Sequence, residues 1–284
     1  MRAHSAYGRV STHNEGVGVP EAGRVTARFE TLRYEVEGGL TRLTLNRPEQ
    51  MNGMTNRMVR EARDALELAA EDTSLRVLVL TGEGRAFCPG ADLNHFTSGG
   101  ADEVLTSREF TVTTLLHEIP AVTVAAINGA CAGAGMGWAL ACDLRLMAAG
   151  AKMNTAFLDV AVAGDMGLPW LLPRLVGSGV ARDLSFLPGR ITAEEAHRIG
   201  LVSRVFPDES FRDDAEAVVQ GLLKKSPTAL LGLKQHYLAA ERMGFADFIQ
   251  YEAERHLQIA ASDDTREAFR AFVEKREPNF GGSS

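Results

Sequence analysis

Two apolar runs, each broken off by a glycine-rich turn, constrain this chain more than any other feature. RVLVLT (76–81) runs into GEGRAFCPGADL (82–93), and VTVAAIN (122–128) runs into GACAGAGMG (129–137). Short runs rich in Val, Ile and Leu read as buried strands. The spacing predicts a helix over 101–117, broken by Pro120, then a helix in WALACD (138–143) and a strand in LRLMAA (144–149). Upstream, LRYEVE (32–37) and LTRLTLN (40–46) flank Gly38-Gly39, a hairpin signal. Residues 55–70 set Met58, Val59, Ala62, Ala65, Leu66 and Ala69 on one helical face. Strand, glycine turn and helix thus recur at 76–117 and 122–143 without repeated sequence. The recurrence points to an α/β spiral of ββα units. A one-sheet dinucleotide fold fits less well, because no clean GxGxxG directly follows a strand with an acid at the right distance.

The C-terminal part changes character. Residues 210–224 place Phe211, Ala215, Val218, Val219, Leu222 and Leu223 on one helical face, and 227–242 place Leu230, Leu233, Tyr237 and Ala240. A third helix is expected over 245–261 and a last one over 264–275, with Ala268, Phe269, Phe272 and Val273. Such a tail is small for an independent domain and is expected to pack on the core or on another subunit. The organisation is therefore a flexible leader at 1–28, a core at 29–208 and a helical region at 209–284. A net charge of −7 weighs against a nucleic-acid partner but admits an anionic ligand held by local Lys and Arg. Cys88, Cys131 and Cys142 have no metal-ligand spacing and suit a reducing, cytoplasmic setting. No uninterrupted apolar stretch reaches the ~18 residues of a membrane span, and the leader has no signal-peptide core.

The two glycine turns carry the chemistry. Both follow apolar strands and run into helix starts, where free N–H groups hold partial positive charge. Two such amides aimed at one point make an oxyanion hole that needs no side chain. Gly90 and Ala91, with Gly133, Ala134 and Gly135, are small enough for a ligand to reach the backbone. The plainer alternative is that these glycines serve turn geometry alone.

GRAFCPGADL resembles the signature turn of the crotonase superfamily, the enoyl-CoA hydratases and isomerases. The likeness extends through LTLNRPEQMNGM (43–54), AAINGACAGAGMGWALACDLRL (125–146), GDMGLPWLLPRLVG (164–177), ITAEEAHRIGLVSRVFP (191–207) and AFVEKREPNF (271–280). The resemblance implies a ClpP-like spiral of ββα units with a helical trimerisation region, assembled as a homotrimer or homohexamer. It implies an acyl-CoA thioester as substrate and no separate cofactor, since coenzyme A belongs to the substrate. Matched position by position, the two oxyanion amides fall on Ala91 and Ala134, with Gly133 or Gly135 one residue away. The coenzyme A contacts fall on Arg47, on the backbone from Pro89 to Leu93, and on Phe272 and Lys275. The hydratases carry two glutamates where this chain has Gly137 and Phe157, so the two-carboxylate route to hydration lacks its residues here. Gly137 leaves room for a bulky acyl group. Asp165 in AGDMG stands where some isomerase branches place a single acid: the dienoyl-CoA isomerases and, most similar, those of ring-epoxide phenylacetyl-CoA degradation. Phe157, Met166, Leu168 and Trp170 would make its surroundings apolar and raise its pKa. The plainer reading of Asp165 is a cap for a helix starting near Gly167.

Among the remaining candidates, Asp92 reads as a cap of the next helix, Asp143 as structural, Asp159 as surface, and Trp138 and Trp170 as core or pocket wall. His95 is close enough to the first turn to meet a nucleotide phosphate. The resemblance supports three functions: an acyl-CoA isomerase using Asp165, an enoyl-CoA hydratase activating water with Asp165 alone, or an acyl-CoA binder without turnover. Decarboxylation or C–C hydrolysis on the same scaffold stays open.

Overall fold

The computed structural model describes residues 17–18, 25–98 and 105–280. In chain order the strands begin with β1 (Val17–Gly18), β2 (Val25–Arg28), β3 (Leu32–Glu37) and β4 (Leu40–Leu45). Helix α1 (Asn56–Glu71) precedes β5 (Val77–Gly82) and β6 (Ala86–Cys88). Helices α2 (Leu93–Thr97) and α3 (Val112–Glu118) precede β7 (Val122–Ile127) and β8 (Ala130–Ala132), and α4 (Gly133–Ala141) precedes β9 (Leu144–Ala148) and β10 (Lys152–Asn154). There follow α5 (Leu168–Val176), α6 (Ser178–Phe186), β11 (Ile191–Thr192), α7 (Ala193–Arg198) and β12 (Arg204–Phe206). Four helices complete the chain: α8 (Phe211–Leu223), α9 (Pro227–Ala240), α10 (Phe245–Ala260) and α11 (Asp263–Glu274).

Among the described residues the strands form an eight-stranded sheet, β1-β2-β3-β4-β5-β7-β9-β12, and a four-stranded sheet, β11-β10-β8-β6. Each ββα unit gives one strand to each sheet: β5 and β6, β7 and β8, β9 and β10. Pairing within this core is parallel, from β4 to β12 in the large sheet and from β6 to β10 in the small one. The spiral expected from the recurring strand, turn and helix is therefore present. The glycine-rich "turns" nevertheless contain strands. Residues 86–88 and 130–132 pair with each other, and three residues are too few for a period of two to show. Helix α4 starts at Gly133, before Trp138, and the helix expected over 101–117 is confined to α3 and a 3-10 turn at Glu109–Thr111. Residues 101–104 lie outside the described residues.

The leader expected over 1–28 is not wholly separate from the core: β2 pairs antiparallel with β3 over four positions. Residues 1–16 and 19–24 lie outside the described residues. Helix α1 forms where expected because Thr55 caps it, its hydroxyl accepting from the Met58 amide at 3.2 Å, and its Met58, Val59, Ala62, Ala65, Leu66 and Ala69 are buried.

Two of the C-terminal helices leave their apolar faces off the core, which the sequence expectation allowed by naming the core or another subunit as the packing partner. On α9 the apolar face is outward, with Leu233 and Tyr237 54% and 69% exposed. Its buried positions are Gly232 and Lys234. Lys234 Nζ donates to both Asp143 oxygens, at 2.8 and 2.7 Å, and Asp143 also accepts from the Thr123 amide and hydroxyl. Asp143 is thus structural, as its position suggested. On α11 Phe269, Phe272 and Val273 are also exposed. Only α8 buries the face read from its sequence, through Phe211, Ala215 and Val219. Lys234→Met should cost about 2–3 kcal/mol by leaving a half-buried carboxylate without its cation. Urea unfolding checks this, and Asp143→Asn in the same chain should recover part of the loss; an unchanged midpoint would rule out this anchor.

Candidate active site

The site begins with main chain. Because β6 and β8 pair in parallel, with Cys88 opposite Cys131, the bends that follow them leave the small sheet side by side. Gly90, at φ +99°, backs onto the second bend: a Cβ there would lie 3.2 Å from the Ala132 carbonyl oxygen and 3.7 Å from Gly133 Cα. Gly135 presses so closely on β6 that a Cβ would collide with the Cys88 carbonyl. The two bends touch because neither carries a side chain at the contact.

Each bend presents an amide. Ala91 makes an isolated parallel bridge with Met54. The bonds of that bridge belong to its neighbours: the Met54 amide donates to the Gly90 carbonyl at 2.8 Å, and the Asp92 amide donates to the Met54 carbonyl at 2.9 Å. The Ala91 N–H therefore points to the opposite side of its strand. In the second bend α4 starts after Ala132, whose extended backbone offers no side-chain cap. The first-turn amides of Gly133, Ala134 and Gly135 carry the positive end of the helix. Ala134 is buried and Ala91 exposed. Cys88 lies directly beneath, but burial pushes its thiol up to about 12, beyond the partial offset from the Gly90 carbonyl contact and Arg47. It is no nucleophile at neutral pH.

Asp92 caps α2, its Oδ1 accepting from the His95 amide at 3.0 Å. Its Oδ2 pairs with Arg47 Nη2 at 2.9 Å, and Arg47 also donates to the Gly53 carbonyl. Burial alone would raise the Asp92 pKa, but the His95 amide and the Arg47 guanidinium together hold it below the usual range. Arg47 is thus a fixed part of the first bend. It lines an open cleft of about 910 Å³ together with Gln50, Arg85, Asp92, Asn94 and His95. Pro89 is half-buried and Leu93 is 53% exposed beside Ala91. Neither Phe272 nor Lys275 lines that cleft; Phe272 is 85% exposed, and Lys275 terminates α11 in a left-handed conformation. Arg85, which GRAFCPGADL displays openly, is a cleft residue that the sequence reading did not single out.

Asp165 sits in a tightly turned loop. Gly164, Met166 and Gly167 all have positive φ, at +109°, +45° and +71°. The carboxylate does not cap α5: the residue before that helix is Gly167, with no side-chain cap, and Asp165 Oδ1 instead accepts from the Met166 amide at 2.7 Å. Burial raises the Asp165 pKa above the ordinary carboxylate range, only partly offset by that amide. Phe157, Met166 and Leu168 are buried in the core cluster, as an apolar setting requires. Trp170 is 43% exposed, held between the Arg174 guanidinium at 3.6 Å and the His117 ring at 5.6 Å. Asp159 is exposed. Trp138 is fully buried in α4.

Gly137 overturns one expectation. The space beside it is not available to an acyl group, because Met166 fills it: a Cβ on Gly137 would lie 2.6 Å from Met166 Cβ and 2.7 Å from the Met166 carbonyl oxygen. Position 137 lies one turn beyond Ala134, on the same face of α4. The structure therefore brings Ala91, Ala134 and the Asp165 loop to one end of α4. It leaves Phe272 and Lys275 on the exposed C-terminal helix.

This arrangement of paired bends on a spiral of ββα units has close counterparts. The sequence model of the family described as "Enoyl-CoA hydratase/isomerase" matches residues 35–283. A 1,2-epoxyphenylacetyl-CoA isomerase of Escherichia coli is 36% identical over 262 residues, covering 89% of this chain and 99% of the relative. A 2,3-dehydroadipyl-CoA hydratase of the same organism is 32% identical over 240 residues, covering 84% and 94%. The crystal structure of an enoyl-CoA hydratase from Bacillus anthracis superposes with a TM-score of 0.80 at 27% identity, covering 95% of this chain and all of the other. The chain belongs to the enoyl-CoA hydratase/isomerase family.

Proposed function

We propose that this enzyme binds an acyl-CoA thioester and moves a C=C bond along the acyl group, with Asp165 carrying the proton. The observation that carries this reading is the state of Asp165. It is a half-buried carboxylate with a raised pKa, free of helix capping, and its hydrogen bond is to the adjacent Met166 amide. A desolvated carboxylate is a stronger base than one in water, which suits abstraction of a proton from carbon.

The chemistry balances with this one acid. Asp165 takes a proton from one carbon, and the C–H electrons move through the conjugated system onto the thioester oxygen. The Ala91 and Ala134 amides hold the resulting dienolate oxygen; a donor of this type is worth roughly 10²–10³ in rate. The same carboxylic acid returns its proton to a carbon two bonds away, and the carboxylate is regenerated. The open cleft beside the first bend carries Arg85 and the Asp92-paired Arg47, together with Glu49; Arg85 is the cation there not held in that pair and suits a phosphate of the thioester. Phe272 and Lys275 remain expected contacts for that end, from the exposed part of α11.

A hydratase reading is favoured by the relative named as a 2,3-dehydroadipyl-CoA hydratase; there Asp165 would activate water. It predicts 3-hydroxyacyl-CoA from a 2-enoyl-CoA at enzymatic rates. An acyl-CoA binder without turnover would show thermal stabilisation by coenzyme A thioesters and no reaction on any of them. The exposed Phe245, Leu257, Phe269, Phe272 and Val273 of α10 and α11 support assembly as a homotrimer or homohexamer. Light scattering should give a mass three or six times that of the chain, and a monomer would remove this part of the proposal. Among the described residues no helix is long and apolar enough to cross a membrane.

Asp165→Asn should lower exchange of substrate α- and γ-protons with D₂O by at least about 10². Exchange at the unmodified rate would exclude Asp165 as the proton carrier. The same variant should melt higher at neutral pH. A carboxyl whose pKa is raised by folding supports the fold when protonated and loses that support as pH rises through its folded value. The melting gap between Asp165→Asn and the native chain should therefore narrow as pH falls toward about 3.9, the ordinary aspartate value. A gap that widens on acidification contradicts the desolvation.

A further inference from the structure

We infer that Gly137 is a positioning residue that seats the Asp165 loop against α4, an inference that rests on the proposed role of Asp165. A glycine inside a helix loses about 1 kcal/mol of propensity against alanine, and Gly137 is buried in the second turn of α4. Its neighbour explains it. Met166 Cβ and the Met166 carbonyl oxygen would lie 2.6 and 2.7 Å from an added methyl, with the Met166 carbonyl carbon at 3.3 Å. Two of those three atoms are main chain, so a rotamer change cannot relieve the collision.

Met166 is also the residue whose amide orients Asp165, at 2.7 Å from Oδ1. The loop is held from other sides as well. The Cβ position of Gly164 lies 2.6 Å from Pro169 Cγ at the start of α5, and that of Gly167 lies 3.1 Å from Thr113 Cγ2 on α3. Met166 is only 4% exposed, at φ +45°. The floor of the loop is thus the bare backbone of α4 at 137, one turn from the Ala134 amide. A methyl at 137 lifts Met166, and with it the carboxylate, away from the amides and toward water.

Position 137, where the family resemblance implies a glutamate in the hydratases, and the Asp165 loop compete for one space. A side chain at 137 and the loop as it stands cannot occupy the same space.

The test is Gly137→Ala, with Gly179→Ala as the control. Gly179 lies in α6, where an added Cβ meets nothing within 4 Å. Gly137→Ala should lower kcat by at least about tenfold with KM nearly unchanged, as expected for a displaced catalytic group. It should also move the acid limb of the kcat–pH profile to lower pH, because a lifted carboxylate is better hydrated. Gly179→Ala should change neither. The double variant Gly137→Ala/Met166→Gly removes the nearest colliding side-chain atom and relaxes the positive φ, so it should recover kcat and the acid limb in part, even if the single variant does not fold. The inference is overturned if Gly137→Ala keeps its kcat and acid limb while Asp165→Asn is inactive; the role of Asp165 then stands. It is overturned as well if the double variant folds and is no better than the single one. Full activity of Asp165→Asn overturns both.

Discussion

The contact between two main-chain bends governs this structure. Strands β6 and β8 are three residues each, yet their parallel pairing brings the turn after Cys88 against the turn after Ala132. Gly90 and Gly135 let the backbones meet without intervening side chains. Two amides, at Ala91 and at the uncapped start of α4, are thereby fixed by secondary structure on both sides. Groups held in this way need no reorganisation when negative charge develops between them, which is the condition for strong electrostatic stabilisation. The rest of the molecule serves this contact. Asn52 and Asn128 satisfy the carbonyls of the connection from β5 to β6, with Asn52 Nδ2 donating to Glu83 and Ala86 and Asn128 Nδ2 to Gly84. Arg47 and Asp92 lock the far side of the first bend.

The proposed acid, Asp165, sits on a different kind of element. The Asp165 loop has three positive-φ residues in four and leans on α3, α4 and α5. Such conformations persist only where the surroundings over-determine them, and they concentrate at functional sites. The burial that raises the Asp165 pKa works against the folded state at neutral pH. Phe157, Met166 and Leu168 belong to the buried core.

Much of the architecture was legible in the sequence, and the limits have physical causes. The β3–β4 hairpin, α1, β5 and β7 are long enough for their periods to show, and Gly38-Gly39 and Thr55 mark their ends. The strands of the small sheet were hidden because three buried residues in succession have no alternation. On α9 the apolar spacing showed the Leu233 and Tyr237 face but not which side meets the core; the ion pair with Asp143 turns Lys234 inward, a contact between residues 91 positions apart. At the site, the family resemblance pointed to Ala91, Ala134 and Asp165 as candidates, with Gly133 or Gly135 as alternatives to Ala134. The contact that fills the space beside Gly137 did not, because no local pattern shows which loop lies over a helix.

The central claim concerns where a thioester oxygen rests. A crystal structure with a bound, unreactive acyl-CoA analogue measures it directly. The expected position is about 3 Å from both the Ala91 and Ala134 nitrogens, with the Asp165 carboxylate facing the carbons between which the double bond moves. An oxygen bound away from either amide, or an acyl group with Asp165 turned away from it, would contradict the mechanism.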